Sequence, residues 1–458
     1  MLGLTETRSA WLGMALAAVI ASNYVQPAVS LGAAFVALTV FAFCCKHTPV
    51  ISAVIVFGDP LALLFSLFIP ISPTALRIAA SGIGAVLLFW DMFLAKRPEP
   101  RRVDLITLIW LAAVILLLLL GYILDINNEY GEYKVTYAIT YGLVYFVAGT
   151  LMRRPSRQQI VMWVAAGVVC YSCTYAVAGH SPEAMLRIHS VDPIGLRAVA
   201  DRWFDAIATA RLSGLLILVG VGVMMQYPRR GEVIAVGLGA LLLGTPVAYL
   251  SQTRQVVVAI SLGACALVLF TLFRRQARSG APPGLGAWLV HRWVHLVVIG
   301  ALAWAVYSIR NESAYQGRYS QLHLLTDTTR ANTWREAAVL IEQRPLTGWG
   351  LGAFSLKTGY PWPHNYVLEW WLEFGLIGVL IAIVILSRVL YNCYSHRNTE
   401  FLAVAIGGLY CLCVVQLSAD TARNMLLVFF SAIGTPANAT RLGRIRMFAG
   451  PGGSGAIR

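Results

Sequence analysis

The chain has 458 residues, of which 58% are hydrophobic and only 12% charged, and its formal net charge is +14. The charged fraction is about half that of a soluble domain, which points to an integral membrane protein. Basic excess in such a chain belongs first to cytoplasmic loops, so no nucleic-acid partner is expected.

Apolar runs of bilayer-crossing length recur along the whole chain. They predict spans over 8–24, 27–45, 49–70, 74–94, 103–124, 135–152, 159–178, 207–226, 231–250, 255–273, 287–307, 366–390, 400–418 and 421–435. The first and last pairs are short, so about 12 to 14 transmembrane helices are expected. Residues 5–8 before the first apolar run resemble a signal peptide, but no soluble domain follows, and a retained first helix is the expectation. The fold class is therefore an all-α polytopic membrane protein with a helical hairpin outside the bilayer. Four regions are expected: N-terminal transmembrane helices over 1–206, including a short connection at 179–206; helices over 207–307 carrying Arg211 and Arg254; a hairpin over 308–365; and C-terminal helices with a tail over 366–458.

Arginine placement sets the orientation, because only Lys46, Lys96, Lys134 and Lys357 are lysines. Connections at 96–102, 153–157, 227–230, 274–292 and 388–397 are basic, as is the tail with Arg441, Arg444 and Arg446. They alternate with less basic or acidic connections such as 125–132. The alternation holds with both termini in the cytoplasm, which puts 179–206 and 308–365 on the outer side.

The stretch from Arg330 to Gly378 changes character three times. An amphipathic helical pattern comes first, with Trp334, Ala338, Leu340 and Ile341 at helix-compatible spacing among Arg330, Arg335, Glu336, Glu342 and Arg344. Pro345 and the run Gly348-Trp349-Gly350-Leu351-Gly352 stop that helix in a tight, flexible loop. Pro361-Trp362-Pro363-His364-Asn365 then leads into an apolar helix beginning near Tyr366.

Four arginines run against the positive-inside tendency: Arg211 at the opening of a span, Arg254 where two spans meet, and Arg330 and Arg335 in the hairpin. Guanidinium forks match phosphate oxygens bidentately, so a converging set suits a lipid-linked phosphate or pyrophosphate. Taken singly, each also fits interfacial snorkelling or pairing with Asp205, Asp327 or Glu336. His364 is either a hydrogen-bonded structural group at a helix start, a base for a sugar hydroxyl, or a phosphate ligand. Glu369 and Glu373 lie one and two turns into the following span, as functional carboxylates or as partners of an arginine. Asp420 with Arg423 is either a surface pair or a substrate contact.

Other constellations carry less. The eight cysteines fall in spans or cytoplasmic connections, and Cys170 with Cys173 sits on an apolar helix, which suits packing. No His/Cys/carboxylate spacing suits zinc, so no metal and no cofactor are expected. Gly348, Gly350 and Gly352 follow no strand, which removes a Rossmann nucleotide cradle. Trp362, Trp370 and Trp371 are most simply an interfacial aromatic belt.

In order, Arg254 in a Ser-x-x-Arg context, Arg330 with Trp334, Pro345-Leu346-Thr347-Gly348-x-Gly350, His364-Asn365 and Glu373-x-Gly375-Leu376-Ile377-Gly378 resemble the O-antigen ligase and polymerase superfamily. Arg211 with Ser213-Gly214 is similar to an earlier element of that family, although its usual Asn-Pro-Asn is replaced by the apolar 215–219. The resemblance covers roughly residues 211–390. It implies a membrane glycosyltransferase of the GT-C type whose donor is an undecaprenyl-pyrophosphate-linked glycan. The acceptor is the lipid A–core sugar for a ligase, or a lipid-linked repeat unit for a polymerase. It places the protein in the bacterial inner membrane, with its active site on the periplasmic face. Arg254, Arg330 and His364 then form the catalytic set, and Arg211, Arg335, Asn365, Glu369 and Trp334 bind substrate. A transporter or flippase of lipid-linked sugars is the competing class; charges gathered at one face, with no repeat between halves, favour the enzyme.

Overall fold

The computed structural model describes residues 48–57, 129–152, 155–177, 206–227, 230–250, 254–276, 328–360, 362–396, 401–417 and 426–433, together with isolated positions between 115 and 123 and Gly300. In chain order the helices are α1 (Thr48–Phe57), α2 (Glu129–Leu151), α3 (Arg157–Val177), α4 (Ala206–Gln226), α5 (Gly231–Leu250), α6 (Arg254–Gln276), α7 (Thr328–Gln343), α8 (Ala353–Thr358), α9 (Tyr366–His396), α10 (Leu402–Leu417) and α11 (Leu426–Ala432). No strand occurs among the described residues.

Helices occupy nine of the expected windows, the first of them only over α1. The windows 8–24, 27–45 and 74–94 lie outside the described residues, while 103–124 and 287–307 meet only isolated positions. Among the described residues, two helices are long and apolar enough to cross a bilayer, over Gly231–Tyr249 and Tyr366–His396. Ala210–Gln226, Gln255–Thr271 and Leu402–Gln416 are shorter apolar helices.

Local signals explain the helix ends. Ser156 and Gln159 form a reciprocal capping box before α3: the Ser156 N–H donates to Gln159 Oε1 at 2.7 Å, and the Gln159 N–H donates to Ser156 Oγ at 3.3 Å. Asn365 caps α9 with its side chain alone, its Oδ1 accepting from the N–H groups of Val367 (3.0 Å) and Leu368 (3.1 Å).

The core sits around α4, whose described residues are buried over most of its length. Small residues let its neighbours approach closely. A Cβ placed on Gly220 would stand 2.5 Å from Ala240 Cβ of α5, and one on Gly222 would stand 3.1 Å from Ala403 Cα of α10. The Tyr410 hydroxyl of α10 donates to the Arg211 carbonyl at 2.9 Å, and Asn392 Nδ2 of α9 donates to the Phe430 carbonyl of α11 at 2.9 Å. In a dry interior such interhelical bonds fix register as well as adding stability.

A second, smaller core lies between α7, α8 and α9. Ala337, Ile341, Ala353, Phe354 and Leu372 are buried together there, with Trp349 and Trp371 packed against them. This corrects the expected apolar face of α7. The buried stripe is Thr333, Ala337 and Ile341, at four-residue spacing, whereas Trp334 and Ala338 face outward one position further round.

Candidate functional site

α7, the glycine loop and α8 lead to α9, and α9 is not continuous. Gly375 has φ 61° and ψ −146°, a backbone that only glycine adopts without strain, and it breaks the helix between its second and third turns. The break frees carbonyls that an apolar surrounding cannot leave without partners. The glycine loop supplies them: the Trp349 N–H donates to the Leu372 carbonyl at 2.8 Å and the Gly350 N–H to the Glu373 carbonyl at 3.0 Å. In return the Leu376 N–H donates to the Leu346 carbonyl at 3.2 Å. A methyl group on Gly375 would overlap that carbonyl, and one on Gly348 (φ 70°) would come within 2.5 Å of the Glu373 carbonyl oxygen. The loop expected to be flexible is thus bonded into the broken helix.

The same break brings together charges from distant parts of the chain. Glu369 and Glu373 lie one turn apart on α9, and both are ion-paired to the Lys134 ammonium of α2. The three side chains are 0–2% exposed, so the cluster is sealed from water. Glu373 Oε1 also accepts from the Gly352 N–H at 2.8 Å, which ties the glycine loop to the ion cluster. To the two readings of these carboxylates, functional groups or partners of an arginine, the structure adds a partner of its own: the Lys134 ammonium pairs with both. Lys134 is a site residue that sequence reasoning missed. Its signal was present, as a lysine adjoining the start of the predicted span 135–152, set against two glutamates at helical spacing.

His364 stands immediately outside this cluster. Its φ of 56° is the single positive value among the described non-glycine residues, a conformation that costs about 1–3 kcal/mol and persists only when its surroundings hold it. On one side Asn365 caps α9; on the other, the Trp362 Nε1–H donates to His364 Nδ1 at 3.0 Å. The Trp362 ring stacks on Tyr130 of α2, with centroids 6.3 Å apart and planes 16° from parallel. Lys134 Nζ lies 5.1 Å from the centroid of that same Tyr130 ring. The first turns of α2 therefore brace both His364 and the carboxylates.

The tryptophans around the site each have their own partners. Trp370 is buried at 1% exposure, Trp371 donates its Nε1–H to the Pro345 carbonyl at 3.1 Å, and Trp362 holds His364. Trp349 donates to the Leu340 carbonyl at 2.7 Å and lies between Arg344 and Lys357, whose cationic centres are 4.0 and 3.9 Å from its ring centroid.

Arg211 does not open its helix: it sits more than a turn inside α4 and is 6% exposed. A snorkelling arginine keeps its head in water, so burial removes that interpretation for Arg211. Arg335 and Trp334 are exposed on α7. Arg254 is the first residue of α6 and Arg330 the third of α7; both side chains lie outside the described residues, as do Asp420 and Arg423. The Asn365 side-chain oxygen is used as a helix cap, and Glu369 is used in the ion cluster. Cys170 is a free, buried cysteine. Among the described residues no three His, Cys, Asp or Glu side chains gather as metal ligands.

No curated protein matches the chain. One family does: its model, described as O-antigen ligase, matches residues 238–383. The matched stretch runs from α5 to the middle of α9, and includes Arg254, Arg330, the glycine loop, His364, Asn365, Glu369 and Glu373. It leaves out Arg211, Tyr130 and Lys134. The two glutamates of the buried ion cluster and the broken apolar helix thus fall inside the matched stretch, and the match supports the O-antigen ligase and polymerase superfamily for this membrane protein.

Proposed function

We propose that the protein is a membrane glycosyltransferase of the GT-C type that moves an undecaprenyl-pyrophosphate-linked glycan onto an acceptor sugar. It acts as an O-antigen ligase on lipid A–core at the periplasmic face of the bacterial inner membrane, with both termini cytoplasmic. The observation that carries this function is the head of α9, where the family match coincides with His364, held at a strained backbone beside a sealed Lys134–Glu369–Glu373 cluster. Such pre-set geometry at a membrane boundary suits a site that must hold charge without reorganising. Breaking a glycosyl–pyrophosphate bond develops negative charge on the leaving group, and Arg254, Arg330 and Arg211 supply the compensating charge. Arg335 and Trp334 flank the substrate, Asn365 and Glu369 hold the head of α9 in place beneath it, and His364 meets either the acceptor hydroxyl or a phosphate oxygen. The four regions 1–206, 207–307, 308–365 and 366–458 divide the work into scaffold, arginine-bearing helices, hairpin and broken-helix floor.

Purified protein in detergent, given a lipid-linked glycan donor and excess EDTA, is expected to extend lipid A–core with no membrane gradient. Extension of a lipid-linked repeat unit instead would identify the polymerase of the same superfamily. Loss of transfer on chelation, restored by a divalent ion, would transfer the leaving group's charge to a metal. No product with either acceptor would favour a transporter. Orientation has its own measurement: a cysteine placed within 308–319 should react with an impermeant thiol reagent in outer-membrane-permeabilised cells, and one within 274–283 should not. The reverse labelling would overturn the topology.

A further inference from the structure

The Trp362–His364 contact fixes more than the ring's position. An indole N–H only donates, so the Nδ1 it meets at 3.0 Å must present a lone pair. A neutral imidazole with its lone pair on Nδ1 carries its proton on Nε2. An imidazolium would set two N–H groups against each other across that 3.0 Å, so the contact also opposes protonation. A general base at this ring would need a lone pair on Nε2, the nitrogen that the indole leaves for other partners. Trp362 takes that option away, and it is itself held by the stacked Tyr130 ring.

We propose that His364 is a neutral Nε2–H donor to an oxygen of the bound pyrophosphate, with Trp362 as the positioning residue that sets its tautomer. The role rests on the glycosyltransferase function proposed above. In the transfer, an acceptor hydroxyl oxygen forms the new bond to the anomeric carbon. The bond from that carbon to the pyrophosphate oxygen breaks, and its electron pair stays on the leaving group. The hydroxyl proton passes to the departing pyrophosphate, whose growing negative charge makes it the base. The Nε2–H bond strengthens as that charge develops, which is how a donor of this kind accelerates a reaction. The backbone at φ 56° and the capping Asn365 hold the ring so that this bond needs no rearrangement.

Glutamine distinguishes a donor from a base, because its amide N–H reaches about as far as Nε2–H and it cannot accept a proton. With wild-type transfer as reference, His364→Ala is expected to lose on the order of a hundredfold in rate, as for a lost transition-state donor. His364→Gln is expected to stay within about tenfold of wild type, since it keeps one donor. His364→Gln as inactive as His364→Ala, with both proteins at normal abundance, would overturn the role. A second measurement needs no activity. In full-length protein labelled with 15N-histidine, the His364 resonance, identified by its loss in His364→Gln, should show protonated Nε2 and bare Nδ1. Trp362→Phe should shift it towards a mixture of tautomers; a protonated Nδ1 in wild-type protein would sink the assignment. Absence of transfer by the wild-type protein itself would overturn the glycosyltransferase function, and the catalytic role with it, whatever the resonance shows.

Discussion

Lys134→Met is expected to remove the folded protein from the membrane fraction. The substitution keeps the length of the side chain and deletes its charge, leaving Glu369 and Glu373 at 0% and 1% exposure without the cation that holds both. Removing one partner of a buried ion pair costs about 3–5 kcal/mol, because the charge left behind cannot regain water. A typical domain is stable by about 5–15 kcal/mol, so this loss takes much of the margin. The damage should spread along the chain: Glu373 Oε1 also accepts the Gly352 N–H, and through it the glycine loop that repairs the broken helix. Removing all three charges at once should behave differently. In Lys134→Met combined with Glu369→Gln and Glu373→Gln, the ammonium and both carboxylates are removed together, and the glutamine oxygen at 373 still accepts from Gly352. Abundance should return towards wild type in the triple variant. Size-exclusion of detergent extracts beside an immunoblot reads both outcomes. A Lys134→Met protein that accumulates and elutes like wild type would show that the cluster does not hold the fold.

Different parts of this architecture were legible to different degrees. The apolar helices could be read because each carries its evidence within itself, as a stretch dominated by hydrophobic residues. The start of α9 was equally plain in Pro363-His364-Asn365, where asparagine has the residue type of an N-cap. Lys134 was missed because its partners are 235 and 239 residues away, and a charge at a helix start reads as solvated until the fold closes over it. The break at Gly375 was hidden for another reason. Glycine is common in apolar membrane helices, so Glu373-Phe374-Gly375 reads as an unbroken helix until the docking loop is seen. The face of α7 was misplaced because Ala337 and Ala338 fit either stripe. The choice was made by Phe354 and Leu372, which cover Ala337 and Ile341 and leave Trp334 outside.

Arg254→Lys and Arg330→Lys are each expected to abolish most glycan transfer while the protein accumulates normally. Lysine keeps the positive charge and loses the planar fork, so it separates bidentate phosphate binding from charge alone. Removing one donor from a preorganised charge-stabilising site lowers the rate on the order of a hundredfold or more. An arginine that only snorkels at an interface behaves otherwise, since lysine has the same apolar stem and the same need for water. Both positions lie in the stretch that matches the O-antigen ligase family, at the first residue of α6 and the third of α7. Helix starts carry partial positive charge, so an anion held there gains from the backbone as well as from the side chain. Arg274→Lys, near the far end of α6 on the expected cytoplasmic side, serves as the control and should leave transfer unchanged. The measurement is glycan banding on a gel beside an immunoblot of each variant. Wild-type banding from both lysine variants would remove the arginine clamp from the mechanism and leave the leaving group's charge to other residues.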